Sequence, residues 1–263
     1  MTAADKPSGV QSVTRALDLL EYLGDAGGQL GLSELATRSG LPLPTIHRLI
    51  RTLVDRGYVR QLPNRRYALG SRLIPLGTVA DAMFGTFARP VLAGLVDQLG
   101  ESANLAVFEG DMVVYAAQVP SRHAMRMFTE VGRRVFAHST GVGKALLSRL
   151  PDQAVRDLLA RTGMPAATPQ TLTDADALLA DLDLIRSRGY AVDEGEQEIG
   201  VRCVAVPVGE GRDAVALSVS GPAPRMTPEL IERAVPLLTG SGRQLSAEWA
   251  DPASPERIER PSA

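Results

Sequence analysis

One cysteine, Cys203, is all the thiol the 263 residues hold, which excludes a disulfide framework and any multi-thiolate metal site. Histidine is nearly as scarce, at His47, His123 and His138, so a nucleophile that needs an imidazole has few partners. No apolar run approaches the roughly 20 residues that a bilayer span demands. The opening MTAADKPSGVQS lacks a basic segment followed by an apolar one, so no secretory signal is expected and the cytoplasm is the expected compartment. What remains is ordinary globular material, 44% hydrophobic and 22% charged, long enough for two domains.

Net charge is also small, −2, but unevenly spread. Residues 1–77 hold ten Lys and Arg against six Asp and Glu, whereas the other 186 hold eighteen against twenty-four. Within 44–72 there are seven Arg and one acid, Asp55. A basic head on an acidic body suits a polyanion-binding module attached to something else.

In the head, Val13, Ala16, Leu17, Leu20 and Leu23 have helical spacing and Gly24 with Gly27–Gly28 ends that helix. Ser33 is the expected N-cap of a short second helix that Gly40 closes. Leu43 precedes a proline and is expected outside the third helix, with Pro44 at its first position. There Ile46, Leu49, Ile50, Leu53 and Val54 form an apolar stripe opposite Thr45, His47, Arg48, Arg51, Thr52 and Asp55. Two short strands joined by Pro63-Asn64-Arg65 follow, which completes a winged helix-turn-helix over 10–72.

A helical stretch broken by Pro75 and Pro90 is expected next, with 73–83 as linker, before an α+β body over 84–248 and a disordered tail at 249–263. A hairpin is expected around Gly110-Asp111, and helices near Gly141, after Pro151 and from a Thr173 cap to Gly189. Strands YAVD, GVRCVAVPV and AVALSVSG then precede a last helix at Thr227-Pro228, and residues 1–10 read as a further disordered tail.

The segments GLSELATRSGLPLPTIHRLIRTLVDRGYV and YALGSRLIPLG resemble the DNA-binding part of the IclR family of bacterial transcriptional regulators. GYAVDEGEQEIGVRCVAVPV (189–208), HSTGVGKALL and LSVSGP are similar to segments of that family's body. The resemblance runs from about Ser12 to Trp249 and implies a GAF-like effector-binding domain joined to the head by a linker helix, in a homodimer or homotetramer. Pro44 stands where many relatives have Ser, so a hydroxyl contact to phosphate is missing.

Thr45, His47, Arg48 and Arg51 lie where a recognition helix reaches base edges, and Arg65 and Arg66 at the hairpin tip suit phosphates or a minor groove. A solvated helix face and a charged turn are the plainer alternatives, but the preceding turn has the spacing of a DNA reader. TGVGK (140–144) is not a Walker A loop, since His138 and Ala145 stand where Gly and Ser or Thr are needed. The Gly141, Val142 and Gly143 amides at a helix start can hold an anion, or these glycines serve only close packing.

Cys203 alternates with Val201 and Ala205 and reads first as a small buried hydrophobe. The resemblance instead implies an effector pocket lined by Cys203 with Gly141, Val142, Asp193, Ser218 and Ser220. Asp193, Glu194, Glu196 and Glu198 read as a solvated acidic turn and not a metal site, while Met125, Met127 and Phe128 are expected to wall the pocket or the core.

The expected function is therefore a ligand-responsive repressor of a catabolic operon, binding double-stranded operator DNA and a small organic acid, with no cofactor, metal, membrane or enzymatic activity. Glyoxylate-like and aromatic acids are the alternatives for the effector. A hydrolase or amidase built on Cys203, with His138 as its nearest plausible base, is the alternative from another class.

Overall fold

The computed structural model of the protein describes residues 10–127 and 129–250, which leaves most of both expected tails outside the described residues. The chain divides into two compact units, 1–80 and 81–263.

The first unit begins with α1 (Gln11–Asp25), β1 (Gln29–Leu30) and α2 (Leu32–Ser39). α3 (Leu43–Asp55), β2 (Val59–Gln61) and β3 (Tyr67–Leu69) follow. Leu19 and Leu23 of α1, Leu35 of α2, and Ile46 and Ile50 of α3 form its core, each stabilising the fold by about 2 kcal/mol through burial. The inward face of α1 is thus Leu19 and Leu23 with Ala16 and Leu20 beside them, whereas Val13 and Leu17 stay more than half exposed, contrary to the stripe expected from spacing. The three strands form an antiparallel sheet in the order β1-β3-β2, and the two-residue β1 is too short to have shown a pattern in the sequence.

Two helix starts differ from expectation by a residue or two. α2 is capped at Gly31 rather than Ser33, because Glu34 reaches back and accepts the Gly31 N–H at 2.7 Å. α3 starts at Leu43, with the Pro42 carbonyl accepting from Thr45 and Ile46, so Pro44 is its second residue. Proline is tolerated there because first-turn N–H groups have no partner inside the helix.

α4 (Leu73–Leu99) is continuous, although two prolines were expected to break it. Pro75 falls in the first turn, where its missing N–H is harmless, and Pro90 removes one internal bond from a 27-residue helix whose remaining ladder carries through. The helix begins in the first unit and ends in the second.

The second unit holds a six-stranded antiparallel sheet ordered β6-β5-β4-β9-β8-β7. Its strands are β4 (Ser102–Glu109), β5 (Met112–Val119), β6 (Arg134–Val135), β7 (Ala191–Glu194), β8 (Val201–Val208) and β9 (Val215–Pro222). One face packs through Leu105, Val204, Leu217 and Val219 on Leu92 and Leu95 of α4 and on Leu238 and Leu245 of α8 (Pro228–Ala250). The other face is covered by α5 (Gly141–Leu147), α6 (Asp152–Thr162) and α7 (Ala175–Arg188). α7 is capped by Asp174, whose carboxylate accepts the Ala177 N–H at 2.9 Å, one residue after the expected Thr173. α8 runs to Ala250, which shortens the expected tail by two residues.

Candidate functional site

In the head, α3 buries Ile46, Ile50 and Leu53, which turns His47, Arg48, Arg51 and Thr52 to solvent and leaves Thr45 half-buried at the rim. The face opposite the apolar stripe is therefore exposed, as its spacing predicts. Thr45 and Arg48 also line an open groove of about 590 Å³ between α3 and α1, whose other wall includes Val13 and Leu17.

At the wing tip the Leu62 carbonyl accepts the Arg65 N–H, while the Leu62 N–H donates to the Arg66 carbonyl. This geometry forces Arg65 into the left-handed region at φ 62°, a place that favours glycine. Arg65 is exposed and projects from that tip. Arg66 is placed differently. Its guanidinium pairs with Glu34 at 2.8 Å and donates to the Gln29 carbonyl at 3.2 Å, bracing the wing against the start of α2. The Gly31 N–H, and after it the Arg66 guanidinium, hold the Glu34 carboxyl below its ordinary range.

In the body, strand register brings the expected pocket residues together. Cys203 of β8 lies opposite Ser220 of β9 and Asp193 of β7, and Ser218 is two residues along the same face. Gly141 sits against them, for a Cβ added there would stand 3.1 Å from Cys203 Sγ. The three glycine-loop amides part company. Thr140 Oγ1 accepts the Gly143 N–H at 3.1 Å, and a Cβ on Gly143 would fall 2.2 Å from the Ala137 carbonyl oxygen. Gly143 thus serves capping and close packing, while the Gly141 and Val142 N–H groups have no acceptor among the described residues.

Several polar residues of this region were not singled out in the sequence. Asn104 of β4 donates through Nδ2 to both Ser218 Oγ and Ser220 Oγ, each at 3.3 Å, and accepts from Gln118 Nε2 at 3.0 Å. A sequence signal existed, since Ser102 and Asn104 alternate along a strand that is otherwise apolar on both faces. Lys144 is buried on α5 and pairs with Asp181 of α7 at 2.9 Å and with Glu196 at 2.5 Å. Asp193 and Glu196 are therefore not solvated, being 4% and 6% exposed, whereas Glu194, in an outer pair with Arg202, and Glu198 keep the expected exposure. A buried lysine cannot be read from composition. Tyr115 is also close, and burial together with the Cys203 and Asp193 charges raises its phenol above the ordinary range.

Burial pushes the Asp193 carboxyl up to about 6, although its Oδ1 accepts the Glu196 N–H at 2.7 Å. Burial likewise pushes the Cys203 thiol up to about 12, so almost no thiolate exists near neutral pH. His138 Nε2 donates to the Pro165 carbonyl, 3.1 Å away, and burial lowers its pKa. A Cys203 hydrolase needs a ready thiolate and a free base, whereas Cys203 stays a thiol and His138 Nε2 is engaged by Pro165. Met125 is largely exposed and walls nothing, Met127 is half-buried with its carbonyl accepting from Ser102 Oγ at 2.8 Å, and Phe128 lies outside the described residues.

Comparison with known proteins agrees with this division. The IclR helix-turn-helix domain matches residues 12–63, and the bacterial transcriptional regulator IclR C-terminal domain matches residues 79–247. The transcriptional repressor IclR of Escherichia coli (strain K12) is 36% identical over 229 residues, covering 84% of each chain. The regulator BhcR of Paracoccus denitrificans is 34% identical over 248 residues, 92% of this chain and 88% of that one. An IclR transcriptional regulator from Alicyclobacillus acidocaldarius superposes with a TM-score of 0.81 at 32% identity, covering 91% of this chain and 98% of that one. An IclR homolog from Microbacterium hydrocarbonoxydans, complexed with 4-hydroxybenzoate, gives 0.74 at 25% identity over 90% and 100% of the two chains. These relatives are regulators by name. With both halves matched in order, the chain belongs to the IclR family and is a DNA-binding transcriptional regulator, not an enzyme.

Proposed function

We propose that this regulator is a cytoplasmic repressor of a catabolic operon that senses a small organic acid in its C-terminal domain. The observation that carries the reading is the body's buried donor set, Ser218, Ser220 and the open amides of Gly141 and Val142, with Asp193 beside it. Such a wall suits a carboxylate, and Asp193 suits a hydroxyl or hydrate oxygen next to it. A second carboxylate beside Asp193 would meet like charge and a desolvation cost, which disfavours dicarboxylates. A relative complexed with 4-hydroxybenzoate supports an organic acid as the ligand, and aromatic and glyoxylate-like acids are the candidates.

The head reads operator DNA through Thr45, His47, Arg48 and Arg51 of α3, with Arg65 on phosphate at the wing. Arg66 joins it only if its Glu34 pair opens. One recognition helix covers few base pairs, so two heads on a pseudo-palindrome are needed, in a dimer or a pair of dimers. The apolar side chains that the head leaves exposed, Val13 and Leu17 of α1 with Ile74 and Val79 of α4, are a surface for the second copy.

The deciding experiment is a thermal-shift screen of small carboxylates, glyoxylate and 4-hydroxybenzoate included, followed by operator footprinting with and without the best of them. A ligand in the site stabilises by mass action and alters the footprint. If no carboxylate shifts the melting temperature at millimolar concentration, the effector reading fails.

A further inference from the structure

The effector site has a wall whose polarity is set from behind. Ser218 and Ser220 lie on one face of β9, both buried, and a serine hydroxyl can present either its proton or its lone pairs to a ligand. Which one it presents depends on what already occupies the oxygen.

Asn104 decides this. Register places it beside Ser218 on β9 and Gln118 on β5. Its Nδ2 has two hydrogens, and both are engaged, one on each serine oxygen. Its Oδ1 accepts from Gln118 Nε2. Each serine oxygen is therefore an acceptor toward Asn104, and among the described residues no oxygen or nitrogen accepts either hydroxyl proton. Cys203 Sγ, beside Ser218, is only a weak acceptor, so those protons are left for a ligand.

We infer that Asn104, held in one amide orientation by Gln118, is the positioning residue that makes Ser218 and Ser220 hydrogen-bond donors and so sets the effector site to prefer a carboxylate over its neutral carboxamide. The inference rests on the proposal that the site holds an anion, and it adds residues that never touch the ligand. Asn104 is 1% exposed, and turning its amide over would point Oδ1 at both serines. The hydroxyls would then donate backward, and lone pairs would line the wall. A carboxylate would be repelled there, while the N–H₂ of a carboxamide would find acceptors.

Gln118 is only half-buried, so changing it leaves the core intact. Gln118→Glu places an acceptor against Asn104 Oδ1 and forces the amide to turn. The test measures calorimetric affinities of wild type and variant for glyoxylate and 4-hydroxybenzoate and for their carboxamides. In the variant, the carboxylate that wild type binds should weaken by about tenfold or more, and its carboxamide should bind about threefold tighter or better, as loss and gain of a buried hydrogen bond imply. The gain is the decisive part, because long-range repulsion by the introduced negative charge would weaken the anion and leave the neutral probe unchanged. The neutral Gln118→Leu variant, which frees the amide to turn, should show the same crossing at smaller amplitude and serves if Gln118→Glu does not fold. Equal loss for both probes, loss of the anion alone, or no change in either variant overturns the inference. Wild-type protein that binds neither carboxylate overturns the effector proposal, and this inference falls with it.

Discussion

At the scale of single residues, strain and burial mark the positions where sequence preference and structure disagree. Arg65 holds a φ of 62° that glycine would adopt freely, at a strain of about 1–2 kcal/mol. Such strain fits the proposed use of Arg65 as an exposed cation at the wing tip. Arg65→Gly should leave stability within about 1 kcal/mol of wild type, since relief of strain is offset by a more flexible unfolded chain. The same variant should lower the slope of log affinity against log salt by about 0.9, the share of one phosphate, measured by fluorescence anisotropy on operator DNA. Asp193 gives a second test. Its carboxyl binds a proton more tightly folded, with a pKa of about 6 against an ordinary 3.8, because burial penalises the charge. Protonation therefore stabilises the fold at low pH, and that contribution is lost as pH rises from about 4 through 6. Asp193→Asn should match wild type near pH 4 and exceed it in urea unfolding at pH 7, by up to about 3 kcal/mol. Equal stability at both pH values would show that the buried carboxylate carries no such cost.

At the scale of elements, α5 shows how a short helix is fixed in a buried place. Thr140 caps it, Gly143 lets it touch the Ala137 backbone, and Lys144 ties it to α7 and to the turn after β7. Gly143→Ala places a methyl 2.2 Å from a backbone oxygen and should destabilise by about 3 kcal/mol in urea unfolding. Lys144→Met should cost about 3–5 kcal/mol, because Glu196 and Asp181 would keep their charges without a partner. Adding Glu196→Gln to it should recover part of that loss, and a double variant no better than the single one would refute the coupling. Elements governed by local rules were legible in the sequence. The exposed face of α3, the Gly40 and Gly189 stops and the hairpin at Gly110 follow from spacing and positive φ, the last three observed at 65°, 84° and 60°. What sequence did not reveal depends on distant partners. The Arg66 brace needs Glu34 brought beside it, the Asn104 ladder needs three strands in register, and the continuity of α4 past Pro90 depends on the rest of the helix.

At the scale of the molecule, the charge asymmetry acquires a place. The seven arginines of 44–72 belong to the unit that carries α3 and the wing, whereas the excess of acids belongs to residues 78–263. With a net negative charge on the body, the isolated second unit should show no salt-dependent DNA binding, while the full chain should lose affinity steeply between 50 and 200 mM salt, by roughly 10³ or more if six phosphates are contacted. Affinity that stays flat with salt would remove the phosphate contacts from the account. The proposed pairing of heads is tested at the same scale. Leu17→Asp places a charge on the exposed apolar face of α1, which buries no core residue at that position, and should shift the protein toward monomer in light scattering without unfolding it. An unchanged oligomer would put the pairing surface elsewhere.

The single thiol has a use beyond its place in the site. Cys203 is buried against α5, and no other cysteine in the chain can react in its place. A reagent such as a maleimide should therefore label the unmodified protein at a rate set by local opening around this residue. If the proposed acid binds beside it, its labelling should slow when that acid is added, a change readable by mass spectrometry with no engineered reporter.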